Sequence, residues 1–108
     1  MSEEQNVKNL IDTVNLFKIF SDLTRLRIID LLNTGEHAVQ AIADELETSQ
    51  SAISHQLKLL RDLNVVKTRK SGKQVIYCLR DSHIKEIFLI GYSHATQCEK
   101  IVEEKIGC

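Results

Sequence analysis

Apolar residues recur at intervals of three and four through most of the chain and switch once to a period of two. Val7, Leu10, Ile11, Val14 and Phe17 keep helical spacing between about residues 5 and 20, while Leu16 and Ile19 add apolar surface on another side. Such a helix needs two partners. Ser21-Asp22 supplies capping side chains for a second helix, whose Leu23, Leu26, Ile29 and Leu32 face inward with Ile28 and Leu31 beside them, so it is expected to be buried nearly all round. Asn33-Thr34-Gly35-Glu36 stops it, with Gly35 suited to a left-handed C-terminal position. Val39, Ile42, Ala43 and Leu46 mark a third, short helix, and His37 reads as a solvent-facing residue at its start.

Only Glu47-Thr48-Ser49 separates that helix from the next stretch, residues 48–60, where Ile53, Leu57 and Leu60 again share one face. Ser51, Ser54, His55 and Lys58 recur on the opposite face, presenting hydroxyls, an imidazole and an ammonium together. Taken alone, that face fits solvent as well as it fits DNA. Two short amphipathic helices across so tight a turn form a helix-turn-helix, here over about residues 38–62, although the turn has no glycine. Small polar side chains let such a helix approach base edges, and Lys58 can reach a phosphate.

Period two begins after Asn64. Val65 to Lys70 and Val75 to Leu79 are rich in β-branched residues and flank Ser71-Gly72-Lys73-Gln74, predicting a β-hairpin over about residues 65–79. Its tip gathers Arg69, Lys70 and Lys73, which fits either protection of a strand edge or a wing laid against a phosphate backbone. Ile84, Ile87, Phe88, Gly91, Ala95, Cys98, Ile101, Val102 and Ile106 then describe a last helix over about residues 82–106, on the order of 35 Å long. A chain of 108 residues cannot cover so long a helix, and Gly91 and Ala95 would let a second helix come close. The first and last helices are therefore the expected seam of a homodimer. Pairing would set two reading helices about 34 Å apart, as successive major grooves require. The expected fold is mainly α with a β-hairpin wing, a single winged helix-turn-helix domain over residues 1–108.

Charge sharpens this picture. The net charge is only −1, but residues 49–80 hold seven basic groups against the single acid Asp62, whereas residues 1–48 hold four against nine. A positive field centred on the fourth helix and hairpin attracts a polyanion and predicts salt-sensitive binding to double-stranded DNA. No apolar run is long enough to cross a bilayer and the Met-Ser-Glu-Glu-Gln start is acidic, so a cytoplasmic protein with no membrane partner is expected. Cys78, Cys98 and Cys108 form no Cys-x-x-Cys pair, against a disulfide framework or zinc ribbon. With no nucleophile and base at recognisable spacing and no glycine-rich phosphate loop, an enzyme is not expected.

The chain resembles the ArsR/SmtB family of winged-helix metal-sensing repressors. The likeness is carried by Phe20-Ser21-Asp22-Leu23-Thr24-Arg25-Leu26-Arg27-Ile28, by residues 49–60 from Ser49-Gln50-Ser51 to Lys58-Leu59-Leu60, and by Gly72-Lys73-Gln74-Val75-Ile76-Tyr77. It implies a homodimer that blocks transcription from a palindromic operator until an inducer arrives, with Gln50, Ser51, Ser54 and His55 as base or phosphate contacts. Ser49, Lys58, Arg69, Lys70 and Lys73 complete the expected DNA-binding set.

The resemblance also directs attention to metal. One branch of the family carries cysteines at the start of the third helix, and the matching Glu36-His37-Ala38-Val39-Gln40 has none, arguing against an arsenic, cadmium or lead site there. Another uses Asp-x-His near the start of the last helix with a second histidine eleven residues on, supplied by the partner subunit. Here Asp81-Ser82-His83 is followed by His94-Ala95-Thr96-Gln97. Eleven residues advance a helix by about 1100°, close to three turns, so His83 and His94 share a face. Two imidazoles and a carboxylate suit zinc, or another divalent transition metal, as inducer. The fourth corner is left to Gln97, Cys98 or water, since a glutamine carbonyl is a weak ligand. The same residues also fit a helix cap and ordinary seam positions. A rival inducer is an oxidant or reactive sulfur acting through Cys98 and Cys108, although about 15 Å of helix separates them.

Overall fold

A computed structural model describes residues 2–104, with side chains described to residue 97. The elements run α1 (Glu3–Ile19), α2 (Leu23–Asn33), β1 (His37–Ala38), α3 (Val39–Leu46), α4 (Gln50–Asp62), β2 (Val66–Ser71), β3 (Gln74–Leu79) and α5 (Ser82–Glu104). Side-chain oxygens set four of the helix starts. Ser2, Asp22, Ser49 and Asp81 accept from the backbone N–H groups of Gln5, Arg25, Ala52 and Ile84, each satisfying a donor that the first turn leaves unpaired.

The strands order as β1-β3-β2, all antiparallel. In the hairpin, Ser71 pairs with Gln74 across Gly72-Lys73, and Gly72 sits at φ +63. A positive φ at the first central residue is what a two-residue hairpin turn of the II′ kind demands of glycine. β1 is an addition to the expected hairpin: His37 pairs with Tyr77 and Ala38 with Ile76, so His37 lies in a strand and does not open α3. Two residues are too few to show a period, and only β3's free edge makes them a strand.

The core joins Ile19 of α1, Ile28, Ile29 and Leu32 of α2, Ile42, Ala43 and Leu46 of α3, Ile53, Leu57 and Leu60 of α4, Val65, Val66, and Ile84 and Phe88 of α5. α2 is central but not buried all round: Leu23 is 74% exposed, and Arg27 and Asp30 also face solvent. It touches α3, α4, α5 and β3, yet these leave Leu23, Arg27 and Asp30 uncovered. Gly35 likewise departs from expectation. Thr34 caps α2 in right-handed geometry with its hydroxyl donating to Leu31 O at 2.6 Å, and Gly35 follows at φ +150, outside the left-handed helical region. A left-handed residue stands instead at Glu47, at φ 54 between α3 and α4, where Thr48 N–H reaches back to Ala43 O at 2.9 Å. Its carboxylate is exposed, so the tight turn carries a backbone cost without a burial cost.

Helix α1 is anchored at its C-terminal end by Ile19, with Leu16 and Phe20 partly buried, while Val7, Leu10, Ile11, Val14 and Phe17 are all at least half exposed. The radius of gyration, 16.4 Å, accordingly exceeds the roughly 13 Å of a compact chain this long. Ile106 and Cys108 lie outside the described residues, and Cys98, Ile101 and Val102 outside the described side chains. No helix among the described residues is long and apolar enough to cross a membrane.

Candidate nucleic-acid interface and metal-ligand positions

Helix α4 is held from one side only. Ile53, Leu57 and Leu60 are each 0% exposed, which fixes the rotation of the helix and turns Ser51, Ser54, His55 and Lys58 outward together. Ser49 caps the helix and lies 3.4 Å from Ser51 hydroxyl to hydroxyl, so both hydroxyls cluster with exposed Gln50 at the N-terminal end. That end has a partial positive charge from unpaired N–H groups. Lys58 lies 3.3 Å from Asp62 one turn on, an exposed pair that water and salt screen and that a phosphate can replace.

Arg25 was not among the expected functional residues, yet it braces this helix. Its Nε and one terminal nitrogen donate to the carbonyls of Ile19 and Lys18, each at 3.2 Å, and its other nitrogen reaches Gln56 Oε1 at 3.4 Å. One planar guanidinium thus ties the end of α1 to the flank of α4. In sequence Arg25 is only one more charge in an amphipathic helix, and its reach of thirty-one residues to Gln56 is a tertiary fact.

The wing divides its charges. Arg69 forms a bidentate ion pair with Glu36, and hydrogen bonding from Arg69 holds the Glu36 carboxyl below the usual carboxylate range and raises Arg69. Lys70 and Lys73, at the tip beside the Gly72 turn, are exposed and form no ion pair among the described residues. The expected trio at the tip is therefore one neutralised cation and two open ones.

Asp81 and His83 do come together at the start of α5. Asp81 Oδ1 accepts from Ile84 N–H at 3.2 Å and stands 3.7 Å from His83 Nδ1, with the His83 side chain 81% exposed. His94 and Gln97 line an open groove on α5 with Leu89, Ile90 and Ser93. Along a helix, eleven residues separate His83 from His94 by about 16 Å. One chain therefore does not bring all the expected ligands together, and among the described residues no three histidine, cysteine, aspartate or glutamate side chains cluster. Cys78 is a partly buried thiol on β3, opposite Lys67.

The pattern of the arsR family of bacterial regulatory proteins matches residues 22–68, from the cap of α2 into β2. The chain is 37% identical over 95 residues to a cadmium resistance transcriptional regulatory protein, the CadC homolog of Staphylococcus aureus, covering 87% of this chain and 78% of that one. It is 38% identical over 72 residues to the transcriptional repressor SmtB homolog of Synechocystis, covering 67% of this chain and 54% of the relative. Its fold superposes with a TM-score of 0.83, at 25% identity and 90% coverage of both chains, on the homodimeric winged helix-turn-helix DNA-binding domain of a possible ArsR-family regulator from Mycobacterium bovis. With its winged helix-turn-helix architecture and these relatives, the chain belongs to the ArsR family of bacterial regulatory proteins.

Proposed function

We propose that this chain is a cytoplasmic transcriptional repressor that binds a palindromic operator as a homodimer and releases it when zinc binds. The observation that carries the reading is the exposed polar face of α4, Ser51, Ser54, His55 and Lys58, fixed outward by three fully buried leucine and isoleucine side chains. A helix so held can enter a major groove without reorganising, while Gln50, Ser49 and the wing lysines Lys70 and Lys73 lie toward the flanking phosphates. The family relation and the repressor named among the relatives support the direction of control.

Pairing through α1 and α5 is supported by the half-exposed stripe from Val7 to Phe17 and by Ile90 and Tyr92, 69% and 62% exposed. A groove of about 400 Å³ between Phe17, Phe20, Leu26, Phe88 and Gly91 is apolar, and a Cβ placed at Gly91 would meet nothing within 4 Å among the described residues. Apolar surface of that extent is costly in water and is covered by a second copy.

The donor set fits zinc. Asp81 and His83 already lie side by side and exposed, a carboxylate and an imidazole, and His94 on the same helix face offers a second imidazole to an antiparallel partner. Gln97, Cys98 or water completes the shell. Bound at the seam, zinc would bear on the spacing of the two α4 helices, and by linkage DNA must weaken zinc binding by the factor by which zinc weakens DNA binding. The CadC homolog's name ties that relative to cadmium, so cadmium belongs in the same titration. Fluorescence anisotropy on the chain's own promoter region, with and without zinc, tests the reading: salt-sensitive binding that zinc weakens is expected, and binding indifferent to both would sink it.

A further inference from the structure

We infer that Arg61, Lys67 and Arg80 form a binding site for a phosphate group at the base of the wing. Three backbone hydrogen bonds create it. Asn64 takes the left-handed conformation, φ 59, with its N–H bonded to Arg61 O at 3.0 Å, and Val65 N–H bonds to Leu60 O at 2.8 Å, so the chain reverses tightly at the end of α4. Arg80 N–H bonds to Val65 O at 2.9 Å, bringing the residue after β3 to the same place. Lys67, paired with Cys78, stands one register position in from the Val66–Leu79 pair that closes the ladder.

The result is a cleft of about 240 Å³ lined by Arg61, Asn64, Val66, Lys67, Thr68 and Arg80. Its lining holds three cations and no carboxylate. None of the three cations has an ion-pair partner among the described residues, whereas Lys8, Lys58 and Arg69 each pair with an acid. Three like charges lining one cleft repel each other, and an anion seated between them adds an attraction to each that offsets that repulsion. Two guanidinium forks, an ammonium, the Asn64 amide and the Thr68 hydroxyl supply more donors than a chloride can use and match the several acceptor oxygens of a phosphate. Val66, only 1% exposed, floors the cleft. Lys67 is three residues along β2 from Lys70, roughly 10 Å, so this site is separate from the wing tip.

Two sources share that chemistry: a phosphodiester of bound DNA, and a free phosphate ion or monoester. The experiment compares the full-length protein with a variant carrying Arg61→Gln, Lys67→Gln and Arg80→Gln, and with a charge-keeping variant carrying Arg61→Lys, Lys67→Arg and Arg80→Lys. Each is titrated calorimetrically with inorganic phosphate at constant ionic strength, and operator binding is measured against salt in a phosphate-free buffer. If the source is free phosphate, the wild-type protein and the charge-keeping variant bind it, the neutral variant does not, and operator affinity is unchanged. If the source is DNA, the log–log salt slope of the neutral variant flattens by about 0.9 while the charge-keeping variant retains the slope. Three proteins alike in both assays would overturn the site, as would a charge-keeping variant that behaves like the neutral one. The DNA arm rests on the operator-binding reading. That reading fails separately if the wild-type protein shows no salt-sensitive operator binding, and the phosphate titration then decides the site alone.

Discussion

Arg69 of the wing grips both carboxylate oxygens of Glu36, Nε to Oε2 at 3.0 Å and a terminal nitrogen to Oε1, across 33 residues of sequence. Glu36 immediately precedes β1, so the pair ties that loop to β2 over the intervening strand β3. The hydrogen bonds from Arg69 lower the Glu36 carboxyl below its ordinary range. A carboxyl lowered in the folded state adds stability that is present above its unfolded value and is lost as pH falls through its folded value. Acidifying below the ordinary carboxylate range should therefore cost the wild-type protein more thermal stability than Glu36→Gln, by a small margin that salt reduces, since both partners are exposed. The same variant frees a wing cation, so its operator salt slope should steepen by up to about 0.9. An unchanged slope would mean that Arg69 does not reach DNA even when released.

Arg25 links α1 to α4 through the carbonyls of Lys18 and Ile19 and the amide of Gln56. Arg25→Gln should lower the unfolding free energy by about 1–3 kcal/mol in urea titrations, as charged donors to one part-buried and one exposed carbonyl are lost. Because α1 belongs to the proposed seam, the variant should also show a weaker effect of zinc on operator affinity. Retention of the full zinc effect would place the coupling elsewhere.

On α4, Ser54 and His55 are exposed and make no contribution to the buried core. Ser54→Ala and His55→Ala should each leave the unfolding free energy nearly unchanged, within about 0.5 kcal/mol. Each should nonetheless weaken operator binding by about 1–3 kcal/mol if its side chain meets a base edge. Equal losses on operator and scrambled DNA would instead assign them to phosphates.

His83 and His94 stand about 16 Å apart along α5, so neither can complete the other's metal shell within one chain. His83→Ala combined with His94→Ala should abolish the proposed coupling between zinc and DNA, typically about 1–3 kcal/mol between linked sites, while preserving apo operator binding. Mixing the two single variants is a sharper check, because a heterodimer retains one site with both wild-type histidines. Zinc-dependent release that survives the double substitution would exclude these ligands.

Ile11 and Val14, 55% and 52% exposed, occupy the stripe of α1 that stands off the core. Ile11→Asp with Val14→Asp should yield a folded monomer in sedimentation velocity and remove high-affinity binding to a palindromic operator. A dimer that persists through both charges would move the seam away from α1.

Much of this protein is written locally. The residues that cap α1, α2, α4 and α5, the apolar spacing of each helix, the glycine of the hairpin turn and the charge concentrated in residues 49–80 all act within a few positions of chain, and helix boundaries and the outward face of α4 follow from them. Tertiary structure decided what depends on distant partners. Two residues around His37 became a strand because β3 offered an edge, Leu23 stayed exposed because no described residue covers that side of α2, and Glu47 accepted a left-handed turn that glycine usually fills. Charge is the clearest case. Sequence counts seven cations between residues 49 and 80, but folding pairs Arg69 with Glu36 and Lys58 with Asp62, leaves Lys70 and Lys73 open at the wing tip, and gathers Arg61, Lys67 and Arg80 around one cleft. A charge's effect depends on its distance to other charges, and chain order does not set that distance.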